Sequence, residues 1–154
     1  MEEILVKKLR EDAVVPAIAT CGSAGADVRA CLYDEETQEK ISKIVVPAGG
    51  KVKIGTGLAF QLPTNHVMLI LPRSSTGVKK GLMLQNTTGV LDSDYRGECF
   101  LFFRNLGDKP VEIEDGERIA QLVVLSYPSL TYKQADELED TERGVGGFGS
   151  TGSK

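Results

Sequence analysis

A ten-residue stretch near the middle of the chain, 89–98 (GVLDSDYRGE), concentrates groups that could do chemistry. The Asp92 carboxylate could act as a general base, and Tyr95 offers a ring against which a flat or apolar group could pack. Residues 92–94 carry a turn signal between two strand-like runs. The sequence therefore predicts a hairpin that presents backbone N–H and C=O groups to a flat ligand. A solvated turn without chemistry is the alternative.

Calcium binding is another use for two aspartates separated by one residue, and the sequence argues against it. An EF-hand loop that begins at Asp92 needs an oxygen ligand two residues after Asp94 and a glutamate at its twelfth position. Those positions hold Arg96 and Phe103.

The residue counts narrow the chemistry further. His66 is the only histidine among 154 residues, so a histidine-based zinc site or a Ser-His-Asp triad is disfavoured and a general base should be a carboxylate, lysine or tyrosine. The cysteines Cys21, Cys31 and Cys99 form no C-x-x-C pair and predict reduced thiols. A net charge of −4 argues against bulk nucleic-acid binding, and a small anionic ligand would need local cations or a metal.

Length and patterning predict one cytosolic domain. The chain is long enough for one hydrophobic core, and its hydrophobic fraction of 41% and charged fraction of 26% are ordinary for a soluble globular protein. No apolar run approaches 18 residues, so no membrane span is expected. The first residues lack the pattern of a signal peptide.

Short strand-like runs separated by glycine and proline turns predict an all-β sandwich or barrel with one short helix. The run 67–71 is continuously apolar and typical of a strand buried on both faces, and 76–80 could form the helix. The other predicted strands are 4–9, 44–46, 51–54, 58–62, 82–86, 99–103, 111–113 and 118–125.

Polar side chains border these strands at several points. Arg73, Ser74 and Ser75 follow an apolar strand, where they could cradle a phosphate or merely cap the short helix beside a surface arginine. Asp27 enters a strand after small residues that permit close backbone approach. Gln121 sits in an apolar strand, where it must find hydrogen-bond partners and could face a site.

Two segments are set apart by their composition. Residues 31–43 are polar and acidic and predict a helical turn or a long hairpin loop. Residues 136–154 are first acidic and then glycine-rich, with Phe148 as the lone aromatic, and predict a flexible lid or a disordered tail. A G-x-G-x-x-G match at 144–149 is weak because no strand-turn-helix unit surrounds it.

Taken in order, five segments resemble the motifs of the homotrimeric dUTPases: 24–27 (AGAD), 72–75 (PRSS), 89–98 (GVLDSDYRGE), 118–122 (RIAQL) and 143–152 (RGVGGFGSTG). The resemblance implies a β jelly-roll subunit, a threefold homotrimer and active sites at the subunit interfaces. It implies magnesium-dependent hydrolysis of dUTP to dUMP and pyrophosphate, which keeps uracil out of DNA and supplies dUMP for thymidylate synthesis. It also implies a core of residues 1–135 and a flexible glycine-rich arm of residues 136–154 that closes over the site.

The resemblance gives the central stretch the roles that concern water, sugar and base. Asp92 matches the general base that activates the water attacking the α-phosphorus. Tyr95 matches the ring that packs on the deoxyribose and leaves no room for a 2′-hydroxyl. The residues that match the readers of the uracil edge, mainly through backbone groups, are Gly89, Val90, Leu91, Phe100 and Asn86.

The other motifs match the phosphate side and the closing arm. Asp27 matches an acid that holds the magnesium shell through water. The phosphate-side groups are Arg73, Ser74, Ser75 and Gln121. Phe148 matches a ring that stacks on uracil, and the arm residues that cover the γ-phosphate are Arg143, Gly149, Ser150 and Thr151.

Two other functions compete with dUTP hydrolysis as interpretations of this sequence. The dCTP deaminases resemble this family in fold but carry a catalytic glutamate where this chain has Phe102, which argues against deamination. A binding or regulatory protein could keep the fold and act through a partner. Residues 31–43 look longer than the family's usual link and could be a plain insertion or a surface for a regulatory protein.

Overall fold

The computed structural model describes residues 3–147 and shows a mostly β chain. A single helical turn, Ser75–Lys79, lies between the sixth and seventh strands. The predicted all-β class with one short helix is confirmed, and the jelly-roll arrangement stays a prediction. Within the described residues the strands are β1 (Leu5–Lys8), β2 (Ala26–Arg29), β3 (Lys43–Val46), β4 (Lys51–Gly55), β5 (Leu58–Gln61), β6 (His66–Pro72), β7 (Leu82–Leu84), β8 (Gly89–Leu91), β9 (Phe100–Asn105), β10 (Val111–Glu114) and β11 (Arg118–Ser126).

The strands form four antiparallel sheets around one core. In order of hydrogen-bonded neighbours, the sheets are β1-β5, β10-β3, β2-β11-β6-β8 and β4-β9-β7. Buried side chains from all four sheets belong to one hydrophobic cluster, for example Leu58, Val46, Met68 and Phe103. The four sheets therefore share a single hydrophobic core.

The strands on either side of the central turn lie in different sheets, so the predicted hairpin is wrong. β8 pairs with β6, whereas β9 pairs with β4 and β7. The chain reverses at a tight turn, in which the Tyr95 N–H donates to the Asp92 carbonyl at 3.2 Å, and then crosses to the other sheet. Within residues 3–147, β8 is the outermost strand of its sheet, so one edge of its backbone faces no neighbouring strand.

The two most apolar runs are buried on one face only, which corrects the expectation for residues 67–71. In β6, Met68 and Ile70 are buried, while Val67, Leu69 and Leu71 are half-buried. In β9, burial alternates strictly, and Phe100 and Phe102 are 36% and 45% exposed. The chain thus leaves two large aromatic side chains partly exposed on one face of this sheet.

Residues 31–43 form a long hairpin loop, the second of the two predicted alternatives. Tyr33 bridges Lys40 across the loop, and the Asp34 carboxylate accepts the N–H of Thr37 at 2.8 Å, which closes its tip. Lys40 forms ion pairs with Asp12 and Asp115 and so fixes the loop to two other segments. A regulatory role for this loop stays a prediction.

All three cysteines are free thiols, as predicted. Burial is the main cause that raises the pKa of Cys31 to about 11 and that of Cys99 to about 12, so both are protonated at neutral pH. A protonated thiol is a poor nucleophile, so neither buried cysteine is a reactive group near neutral pH.

Among the described residues, no helix is both long enough and apolar enough to cross a membrane.

Candidate active site

Asp27 and Arg73, which are distant in sequence, meet at the carboxyl end of β6. The Arg73 Nε donates to Asp27 Oδ1 at 2.7 Å, and both side chains are about one quarter exposed. A second guanidinium nitrogen, Arg73 Nη1, donates to Ser75 Oγ at 3.2 Å. The arrangement fixes the Arg73 guanidinium while leaving it partly exposed. A guanidinium suits phosphate binding because its N–H groups can donate two parallel hydrogen bonds to one phosphate group.

Gln121 lies at the centre of the same cluster. On β11 it stands opposite Asp27 of β2 on one side and Leu71 of β6 on the other. Its Nε2 donates to the Pro72 carbonyl at 3.3 Å, so the amide is held with its oxygen toward β2. A Cβ on Gly25 would lie 2.9 Å from Gln121 Oε1. The predicted need for small residues before Asp27 is thus explained by the side chain of Gln121.

The predicted helix cap by Ser74 or Ser75 is absent from the helical turn. Ser74 occupies the position before the helical turn, but its side chain makes no capping hydrogen bond and is exposed. The turn itself is wide: the Lys80 N–H donates to the carbonyl of Ser75, five residues earlier. The Ser74 hydroxyl is therefore accessible from solvent beside Arg73.

Arg118 completes the cluster, and sequence reasoning left it without a role. Its Nη1 donates to Asp27 Oδ2 at 3.1 Å, and its carbonyl accepts from Arg73 Nη1 at 3.3 Å. A bulge between Arg118 and Ala120 shifts the pairing of β11 with β2 at this point. The signal that could have found Arg118 is its place in the fourth motif, three residues before Gln121.

The predicted uracil readers lie on two strands of different sheets and on one loop. Gly89, Val90 and Leu91 form β8, with Leu91 buried and Val90 63% exposed. Asn86 lies exposed in the loop before it, and Phe100 begins β9 after the turn. The outer edge of β8 thus pairs with no other strand within residues 3–147, although Gly89 on it is buried.

The turn after β8 holds Asp92 and Tyr95 at the surface. Asp92 is exposed, and Tyr95 is 46% exposed. Arg96 braces the turn from within, since its Nη1 donates to the Ser93 carbonyl at 2.7 Å. A Cβ on Gly97 would collide with the Tyr95 ring, so the glycine is what lets the ring lie flat on the backbone.

The Asp92 turn and the Asp27–Arg73 cluster lie at opposite ends of the four-stranded sheet β2-β11-β6-β8. β8 runs antiparallel to β6 with Leu91 opposite Met68, which places Asp92 beside Val67. Arg73 lies six residues further along, a separation of about 20 Å at the rise of a strand. That distance exceeds the combined reach of the two side chains, so one chain does not bring Asp92 and the Asp27–Arg73 cluster together.

A directly coordinated metal does not fit the described residues. No three His, Cys, Asp or Glu side chains among residues 3–147 come close enough to hold an ion. Both oxygens of Asp27 accept hydrogen bonds from arginines. Its remaining lone pairs could accept from metal-bound water, and the predicted indirect role of Asp27 stays a prediction.

The arm is described only in part. Arg143 donates from Nε to the Gly146 carbonyl at 2.9 Å within a local turn. The other predicted arm residues, Phe148, Gly149, Ser150 and Thr151, lie outside the described residues.

Comparisons with known proteins agree with this geometry. A family model described as dUTPase matches residues 11–152. A deoxyuridine 5'-triphosphate nucleotidohydrolase of Hydrogenobaculum sp. is 43% identical over 152 residues, covering 99% of both chains. One of Treponema denticola is 41% identical and covers 94% of this chain and 95% of its own.

Solved structures resemble the fold over nearly its full length. A dUTPase of Staphylococcus bacteriophage 80alpha, solved with dUpNHpp, has a TM-score of 0.84 at 27% identity and covers 99% of both chains. A dUTPase of phage phi11, solved to describe a structural Mg(II) ion, has a TM-score of 0.76 at 22% identity and covers 90% of this chain and 99% of its own. The chain therefore belongs to the dUTPase family, and its activity is that of a dUTP nucleotidohydrolase.

Proposed function

We propose that the chain acts as a homotrimer whose active sites each combine the Asp92 turn of one subunit with the Asp27–Arg73 cluster of another. The observation that supports this is the separation of about 20 Å between Asp92 and Arg73 along β6. A general base must lie within hydrogen-bond reach of the proton it removes. The exposed aromatic face of β9 gives the subunits a surface to bury against one another.

In the proposed reaction, Asp92 removes a proton from a water molecule and the water oxygen attacks the α-phosphorus of dUTP. The bond from that phosphorus to the bridging oxygen breaks, and pyrophosphate leaves with the electron pair. Asp92 suits this role because it is exposed directly beyond β8, beside the strand assigned to the base. Catalysis then depends mainly on positioning and on stabilising negative charge.

The proposed specificity has two parts. The free backbone edge of β8, assisted by Asn86 and Phe100, pairs with the uracil edge, and cytosine presents a different order of donors and acceptors there. The Tyr95 ring packs on the deoxyribose and leaves no space for the 2′-hydroxyl of a ribonucleotide. A rigid edge strand suits this task because a buried polar group without a partner is costly.

On the phosphate side, Arg73, Ser74, Ser75 and Gln121 donate hydrogen bonds to the triphosphate. Asp27 orients Arg73 and contacts magnesium only through water. Mg²⁺ carried by the triphosphate would neutralise charge on the leaving pyrophosphate. The protein itself has a net charge of −4, so it needs that contribution.

Residues 136–154 are proposed as the arm that closes over the site. After β11 the last bonds to the body involve Asn65, which accepts from the Tyr127 N–H at 2.8 Å and from the Ser129 hydroxyl at 2.9 Å. Beyond them, Tyr132 and Leu138 are almost fully exposed. Apolar side chains on an arm that leaves its own subunit fit a contact with a neighbour. The tail would add Arg143, Phe148, Gly149, Ser150 and Thr151 to the bound nucleotide.

The enzyme is placed in the cytoplasm as part of this proposal, since three free thiols suit a reducing compartment.

Pyrophosphate release tests the proposed substrate and metal together. With Mg²⁺, release from dUTP should exceed release from UTP, dTTP or dCTP by at least about a hundredfold, because each competitor leaves a mismatched group in the site. Chelation by excess EDTA should lower the dUTP rate at least about tenfold, and added Mg²⁺ should restore it. Equal rates with dUTP and UTP would refute the sugar role of Tyr95, and full activity in EDTA would refute the metal role.

A further inference from the structure

We propose that Glu98 is a positioning residue that locks the Asp92–Tyr95 turn to the neighbouring β4–β5 turn and thereby sets the preference for deoxyribose over ribose. The inference rests on the proposed sugar role of Tyr95. Glu98 is the last residue of the third motif, three residues after Tyr95.

The Glu98 carboxylate reaches across to a turn that is distant in sequence. Its Oε1 accepts the Gly57 N–H at 2.8 Å, and a Cβ on Gly55 would lie 2.7 Å from the same oxygen. Gly57 has a φ of +65°, in the left-handed region that favours glycine. The β4–β5 turn is therefore shaped so that one carboxylate oxygen can enter it.

A buried hydroxyl forms a second connection between the same two segments. Thr56 is 1% exposed, and its Oγ1 donates to the Cys99 carbonyl at 2.8 Å. The Cys99 N–H donates to the Leu58 carbonyl at 2.8 Å. Three hydrogen bonds thus hold residues 98 and 99 to residues 56–58. The Glu98 side chain makes one, the Thr56 side chain makes another, and the third joins two backbone groups.

This connection bears directly on the tyrosine. The Tyr95 hydroxyl donates to the carbonyl of Glu98 at 3.3 Å, and the ring lies over Gly97. The position of the ring therefore follows the position of the Glu98 backbone, which the carboxylate fixes against the β4–β5 turn. A ring that excludes a single hydroxyl must be held to a fraction of an ångström, and side-chain support of this kind provides that.

The charge of Glu98 is also felt by the buried thiol beside it. Burial first, and the Glu98 carboxylate second, raise the pKa of Cys99 to about 12. Cys99 therefore remains a neutral residue that packs in the core beside Glu98.

The test compares dUTP and UTP as substrates for variants at position 98. Glu98→Ala should lower kcat/KM for dUTP about tenfold and leave that for UTP unchanged or higher, so the preference for dUTP falls about tenfold or more. Glu98→Gln keeps an oxygen acceptor for the Gly57 N–H and should stay within about twofold of the wild type. Glu98→Asp keeps the negative charge, but its shorter side chain cannot reach the Gly57 N–H, so its kinetics should resemble those of Glu98→Ala. It replaces Glu98→Ala in the test if the alanine variant does not fold.

Asp115→Ala is the matched control. The Asp115 Oδ1 accepts the Leu32 N–H, also at 2.8 Å and also between segments distant in sequence, but Asp115 belongs to the turn between β10 and β11. Asp115→Ala should lower the free energy of unfolding by about as much as Glu98→Ala does, but it should leave the preference for dUTP over UTP unchanged. A dUTP preference that Glu98→Ala and Glu98→Asp leave within twofold of the wild type overturns the inference.

Tyr95→Leu in the same assay separates this inference from the proposal on which it rests. If Tyr95→Leu abolishes the preference and the Glu98 variants do not, only the role of Glu98 is wrong. If Tyr95→Leu leaves the preference intact, the sugar role of Tyr95 is wrong and the inference is overturned with it.

Discussion

Replacing Asp92 with asparagine is expected to lower kcat for dUTP about a thousandfold while leaving nucleotide binding intact. Asparagine has nearly the same shape but cannot take the proton of the attacking water. Because Asp92 is exposed and its side chain makes no hydrogen bond to another residue within 3–147, the fold should be unaffected. The measurements are pyrophosphate release and equilibrium binding of the imido analogue dUpNHpp.

Asp94→Asn provides the control for this prediction. Asp94 lies two residues away on the same exposed turn and carries the same charge. Its variant should keep most of the wild-type rate, which would show that the loss at Asp92 does not come from the charge of the turn. An Asp92→Asn enzyme that retains a tenth or more of the wild-type kcat would remove the general base from the account.

Replacing Arg73 with glutamine is expected to lower kcat/KM for dUTP about a hundredfold. The change removes the fixed guanidinium that faces the phosphates. Among the described residues it also leaves Arg118 as the only side-chain partner of Asp27. Arg73→Lys should recover only part of the loss, since an ammonium group cannot reach Asp27 and a phosphate in the same two-pronged geometry. Steady-state kinetics with dUTP measure both variants.

Arg10→Gln controls for the loss of a cation from this acidic protein. The Arg10 guanidinium stacks on Tyr33 at 4.6 Å from the ring centre, so it contacts the loop of residues 31–43 and not the phosphate cluster. Its kinetics should match the wild type. An Arg73→Gln enzyme with wild-type kcat/KM would show that the triphosphate binds elsewhere.

The strands were predictable because each is a short local pattern. Runs such as β4 and β10 alternate or cluster apolar residues between glycine or proline turns, and a strand needs little more than that. Which sheet a strand joins is a non-local choice. The turn at residues 92–94 does reverse the chain, but nothing in its sequence reveals that β9 joins β4 instead of β8.

Burial on both faces could not be predicted for a related reason. A run of apolar residues shows that a strand avoids water, but not whether its own chain or a second subunit covers the other face. Phe100 and Phe102 are as apolar as the buried Leu101 and Phe103 beside them, and only the fold separates the two faces.

The site was predictable in its residues more than in its geometry. The motif order led to Asp27, Arg73 and Gln121, and the structure brings these three together. The contact between Arg118 and Asp27 could not be predicted, because it forms beside a β-bulge that no sequence pattern indicates. Glu98 was missed because its partner, the Gly57 N–H, belongs to a turn 41 residues earlier in the chain.

The most direct test of shared active sites is the activity of trimers assembled from two inactive subunits. Asp92→Asn and Arg73→Gln chains, with different affinity tags, are mixed in equal amounts, unfolded and refolded together. If each site takes Asp92 from one subunit and Arg73 from another, random mixing leaves roughly a quarter of the sites intact and restores about that share of wild-type turnover. Mixed oligomers that carry both tags and still lack activity would contradict the account.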